Sequence, residues 1–66
     1  MKPKYPHVKV QLSGQDGNGF LVMGRVAQAM RRAKVDRLEI EVFKNEAMSG
    51  DYDHLLQTCM KWVDVS

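Results

Sequence analysis

A glycine-rich break between Ser13 and Gly19 restricts this chain more than any other feature, because apolar residues recur with a different period on its two sides. Before it, Val8, Val10 and Leu12 alternate with His7, Lys9 and Gln11, the pattern of a strand with one buried face. After it, Phe20, Met23, Val26, Ala27, Met30 and Ala33 recur at steps of three and four, so one stripe of an α-helix carries them all. Gly14, Gly17 and Gly19, with an Asp-Gly and an Asn-Gly among them, end both patterns. The expectation is a strand from His7 to Leu12 and a helix from Asn18 to Lys34. Asn18 is placed to cap that helix, and Arg31, Arg32 and Lys34 sit at its end, where the helix dipole favours positive charge. One alternative stays open: a hairpin across the break, pairing Val8–Leu12 with Phe20–Met23. Leu21 and Val22 are apolar too, so the first helical turn is either buried nearly all round or partly open to a partner.

Two further helices follow. Asp36-Arg37-Leu38-Glu39 is a capping-box pattern, in which Asp36 accepts from the amide of Glu39 while the Glu39 carboxylate reaches back. Leu38, Ile40, Phe43 and Ala47 give this helix an apolar side, with Glu39, Lys44 and Glu46 outward, and Ser49-Gly50 stops it. Asp51-Tyr52-Asp53 opens a third helix with Tyr52, Leu55, Leu56 and Cys59 on its buried side. Trp62-Val63-Asp64-Val65 returns to alternation among strand-favouring residues. The fold class is therefore α+β, ordered β-α-α-α-β. A two-stranded ribbon of Val8, Val10, Leu12, Val63 and Val65, marginal alone, lies on three short helices. Three intervening helices allow the strands either polarity.

At 66 residues and 7.6 kDa there is one domain. Residues 1–6, with both prolines, are expected to form a flexible arm, and residues 7–66 the domain. A chain this short buries only about 60% of its unfolded surface, so a partner or a second copy would add needed area. No run approaches the roughly 20 apolar residues of a membrane span, and the first residues lack the apolar core of a secretory signal. The expected setting is cytoplasmic. A single cysteine excludes an intrachain disulfide and a multi-cysteine zinc site.

Charge is divided along the chain. Residues 1–37 hold eight of the ten lysines and arginines against two acids, net +6, and residues 38–66 hold the other two against six acids, net −4. Such halves pair within a monomer, pair between copies, or leave a basic patch for an anionic partner. Arg25, Arg31, Arg32, Lys34 and Arg37 are the candidate binding residues, for an acidic protein surface or for nucleic-acid phosphates. No helix-turn-helix, zinc-finger or exposed-aromatic RNA-binding signature accompanies them, and Phe20, Phe43 and Trp62 read as core.

The remaining motifs carry little chemistry. Gly14-x-x-Gly17-x-Gly19 precedes a helix, where backbone amides favour an anion. It lacks the Gly-Lys-Ser/Thr of a P-loop and has Asp16 within it, so a turn and helix cap is the simpler reading. A calcium loop starting at Asp16 needs a glutamate where Ala27 stands. Asp51, Asp53, His54 and Cys59 are the only metal-capable grouping, but His54 and Cys59, five apart, leave a helix in different directions. Cys59 within an apolar stripe lacks what stabilises a thiolate. No catalytic residue, metal, cofactor or small-molecule substrate is expected.

Gln15-Asp16-Gly17-Asn18-Gly19-Phe20, Gly24-Arg25-Val26, Ala29-Met30-Arg31-Arg32-Ala33, Glu39-Ile40-Glu41 and Ser49-Gly50-Asp51-Tyr52-Asp53-His54-Leu55-Leu56 together resemble a group of short uncharacterised bacterial and phage proteins. The resemblance spans most of Val8 to Val65 and brings no activity with it. It implies a small accessory protein acting by contact. The expectation from sequence is thus a noncatalytic interaction module meeting a protein partner or a second copy, with nucleic-acid backbone binding as the alternative.

Overall fold

The structure, a computed structural model, describes residues 2–11 and 19–65. The elements run β1 (Tyr5–Val10), α1 (Gly19–Arg32), α2 (Arg37–Ala47), α3 (Tyr52–Trp62) and β2 (Val63–Val65), which is the β-α-α-α-β order the hydrophobic periods imply. Phe20–Met23 is helical, so the hairpin alternative falls. The two strands pair in parallel, and the three helices form the long crossover that parallel neighbours require.

β1 starts at Tyr5, two residues before the alternation does, and this corrects the expected arm. Lys4 already donates its backbone N–H to the carbonyl of Lys61 at 2.8 Å, and Tyr5 pairs with Val63. Pro6 has no N–H to give to a ladder, and the register shifts between Tyr5 and Lys9 before pairing resumes at Lys9–Asp64 and Val10–Val65. Proline thus moved the strand's visible start without preventing the strand. Leu12, expected on the inner face, and Asn18, the expected cap, lie outside the described residues, as does the glycine-rich segment before Gly19.

The core lies between the ribbon and the helices. Val8, Val10 and Val63 meet Val22, Val26, Ala27 and Met30 of α1, Ile40, Phe43 and Ala47 of α2, and Leu55, Cys59 and Trp62 of α3. The α1 stripe is narrower than expected. Val22, Val26 and Met30, four apart, centre it, and Phe20 lies about 120° round the helix from Val26, which leaves Phe20 70% exposed and Leu21 61% exposed. Leu38 is exposed for the same reason, and α3 buries Thr58 and Trp62 where Tyr52 was expected.

Helix ends follow local chemistry. Asp36 caps α2 by accepting from Leu38 N at 3.3 Å, so the expected reciprocal box does not close. Glu39 is engaged elsewhere. Asp51 caps α3, accepting from His54 N at 2.9 Å. At the end of α1, Val35 N bonds to Met30 O and Lys34 N to Arg31 O, both at 3.0 Å, the paired reversed bonds of a Schellman stop. Lys34 occupies the left-handed position, φ 64°, where glycine is usual.

Two variants test this packing. Phe43→Ala should cost about 3–5 kcal/mol, as much as a core of this size supplies. Circular dichroism should therefore show it unfolded without denaturant, whereas Leu38→Ala should stay within about 0.5 kcal/mol of the parent in urea. Lys34→Gly should raise the urea midpoint, by about 1 kcal/mol of stability, because it relieves the left-handed lysine.

Candidate functional site

Trp62 ends α3 and is the point where three elements meet. Its ring stacks on Tyr5 of β1 at 6.1 Å with 23° between planes, and meets Phe43 of α2 edge-on at 5.8 Å. Its indole N–H donates to Glu46 Oε2 at 3.3 Å, and the Lys4 ammonium lies 4.7 Å from the ring centroid. Lys4 also pairs with Glu39, whose carboxylate accepts the Tyr5 hydroxyl at 2.9 Å. The acids of α2 that sequence places outward, Glu39 and Glu46, are therefore drawn in towards β1 and Trp62. Donation from Lys4, then from Tyr5, holds the Glu39 carboxyl below its ordinary value. The Glu39 hydrogen bond pushes Lys4 up, and burial, then the same carboxylate, pushes Tyr5 up.

A second polar junction joins α2 to α3. His54 Nε2 lies 2.9 Å from the Glu46 carbonyl, which can only accept, so the ring donates there. Ser49 Oγ stands 3.1 Å from the same nitrogen, and a β-carbon at Gly50 would come within 2.8 Å of the ring. Glycine is needed here by the close approach of the imidazole. Among the described residues no three His, Cys, Asp or Glu side chains gather where one ion could be held. Cys59 is buried, and burial pushes its thiol up to about 11, so it stays protonated at neutral pH.

A concavity lies elsewhere, as a groove of about 850 Å³ between β1 and α1. His7 to Gln11 form one wall, and Leu21, Gly24, Arg25, Gln28 and Arg32 stand along the other. Four of these, His7 to Val10, are consecutive residues of β1, so the groove runs along the strand. β2 pairs with β1 along one edge, and the sheet has two strands among the described residues. Val8 and Val10 are buried, 3% and 4% exposed as whole residues, so the exposed part of the strand wall is His7, Lys9 and Gln11. On α1 the lining residues recur at steps of three and four beside the core stripe, a second face on the same helix.

The five basic candidates divide. Arg25 and Arg32 are seven apart, within about 20° of one another round the helix, and both line the groove. Arg31 lies about 100–120° away from them. Arg31, Lys34 and Arg37 are exposed outside the groove's lining. None of the five joins the single ion pair found among the described residues, Lys4–Glu39. His7, Lys9, Gly24 and Gln28 were not singled out from sequence. The polar positions of the strand alternation mark the first two, and a stripe without large apolar residues at Gly24, Gln28 and Arg32 marks the others. Gly24 has nothing within 4 Å of where a β-carbon would stand, so its place on the groove is open.

Comparison with protein-family models, curated proteins and solved structures finds no match.

The Lys4–Glu39–Tyr5 cluster predicts a pH dependence. A carboxyl lowered by folding stabilises the fold fully above its ordinary value of 4.5, and that contribution is lost as pH falls through the lowered folded value. Glu39→Gln should therefore be less stable than the parent near pH 7, and the gap between them should narrow below pH about 4. Urea midpoints measured from pH 7 to pH 3 check this, and an unchanging gap would remove the cluster from the stability account.

Proposed function

We propose that this protein is a noncatalytic interaction module that holds a protein partner in the groove between β1 and α1. The observation that carries the reading is a single concavity combining a strand wall, a helix face, exposed Phe20 and Leu21, and the cations Arg25 and Arg32. Apolar side chains kept at a groove mouth and rimmed by polar ones suit a contact surface. The arginines add direction, since rim charges speed encounter and reject wrongly charged partners. The resemblance to short bacterial and phage proteins fits a small accessory protein of this kind. A cytoplasmic setting goes with this reading. The division of Arg31, Lys34 and Arg37 from Arg25 and Arg32 counts against a continuous phosphate-binding band, the alternative reading.

A photoreactive residue at Gly24, where space is open, should crosslink a discrete protein from cell lysate. The same residue at Arg31 should not, and Arg25→Glu with Arg32→Glu should abolish the Gly24 product. The product should survive nuclease. Equal crosslinking from Arg31, or a nuclease-sensitive product weakening steeply between about 50 and 200 mM salt, would replace this reading with another surface or with nucleic-acid binding.

A further inference from the structure

We infer, resting on the module reading above, that the partner's side of this contact is an acidic protein segment, which sets carboxylates between the cations of the two walls. Three features support this occupant. The first is charge. The titratable residues of the described lining are His7 and Lys9 on β1 and Arg25 and Arg32 on α1, and no acid stands among them. All four are exposed. Asp64 lies opposite Lys9 in the strand register, but among the described residues the one ion pair is Lys4–Glu39, so Lys9, Arg25 and Arg32 keep their charge unmatched. A cleft lined by one sign of charge focuses the potential inside it and concentrates partners of the opposite sign.

The second is spacing. Lys9 stands on one wall and Arg25 and Arg32 on the other, so the positive groups flank a partner on both sides. The two arginines are about 10.5 Å apart along the axis of α1. Each guanidinium can take a carboxylate through two parallel N–H bonds, and two such contacts at a fixed separation set the partner's register along the groove. A single exposed pair contributes little. Two on one face, with Lys9 across from them, act together.

The third is what lies between the charges. The α1 wall carries Leu21, Ala29 and Ala33 beside the arginines, and space is open at Gly24. A peptide can interleave apolar side chains with its carboxylates and meet both kinds of lining. A single nucleic-acid strand carries a charge at every nucleotide and holds by stacking its bases on aromatic rings. The rings of the described lining are Phe20 and His7, and the His7 ring already meets Tyr5 edge-on at 6.1 Å. Arg31, Lys34 and Arg37, which would carry a phosphate track onward, stand outside the described lining. A second copy fits less well, since Glu39 and Glu46 are engaged with Lys4, Tyr5 and Trp62, and Asp36 and Asp51 cap helices.

Three capped dodecapeptides test the inference by amide shifts of the isotope-labelled full chain at low ionic strength. All have leucine and glycine in the same places, and the remaining positions are all glutamate, all glutamine or all lysine. The glutamate peptide should shift amides of Lys9, Gly24, Arg25, Gln28 and Arg32. The glutamine peptide should bind at least about tenfold more weakly, and the lysine peptide should not bind. In the Arg25→Glu, Arg32→Glu variant the lysine peptide should bind at the same amides in place of the glutamate peptide, a localised gain that an unfolded chain could not show. Arg31→Glu with Arg37→Glu makes the same change in net charge and should leave the glutamate peptide within about threefold of its affinity for the parent. Equal loss from either double variant, equal binding of the glutamine peptide, or tighter binding of dodecathymidylate at the same amides would each overturn the inference. So would shifts of those amides with protein concentration alone, which would give the groove to a second copy. If no peptide binds while the Gly24 crosslink still captures a protein, the acidic segment fails and the module reading stands. If neither is seen, both fail.

Discussion

Everything in this fold depends on holding a six-residue strand against a three-residue one, and Trp62 is what holds them. Two strands alone are marginal in water. Here β2 follows α3 without a loop, so the last helical residue is fixed beside the first strand. Its ring is clamped between Tyr5 and Phe43, with its N–H on Glu46. The aromatic contact therefore ties β1 to the α2–α3 pair. Lys4 and Glu39 close over it, linking the start of the chain to the second helix. Once the outer strand is pinned, Val8 and Val10 face Val22, Val26 and Met30, and the remaining packing follows from helical spacing.

The same arrangement decides where β1 stands. One edge is used by β2, and the groove lies between the strand and α1. Edge strands invite unwanted pairing, and proteins commonly blunt them with proline or lysine. Pro6 breaks the register at the start of β1 and Lys9 charges its middle. Arg25 and Arg32 stand on the α1 side of the same groove. Two acids of the second half are engaged elsewhere. Glu39 and Glu46 are committed to Lys4, Tyr5 and Trp62.

Much of the architecture was legible because each element has a clean apolar period bounded by caps or glycines. The β-α-α-α-β order and the Asp36 and Asp51 caps follow from residue types alone. Three things were hidden. Pro6 concealed the start of β1, since a missing N–H reads as a strand breaker although a local shift in register absorbs it. Phe20 and Leu38 looked like core because hydrophobicity says nothing of where a stripe is centred, and their neighbours Val22 and Ile40 fix the rotation. Trp62 read as strand, and only its stacking on Tyr5 and Phe43 shows why the helix extends to it. Of the site, Arg25 and Arg32 were legible as charges, but their separation from Arg31, Lys34 and Arg37 required the helix phase. The strand wall required the topology, because nothing in an alternating sequence tells which edge is paired.

A fold this small, built on a two-stranded ribbon, has a thermodynamic consequence. A ligand that binds only the folded chain stabilises it in proportion to the logarithm of its concentration over its dissociation constant. For a chain whose own core supplies about 3–5 kcal/mol, occupancy at a hundred times that constant adds about 2.7 kcal/mol, a gain comparable to the whole. Any ligand specific to the folded chain would therefore be strongly coupled to its folding.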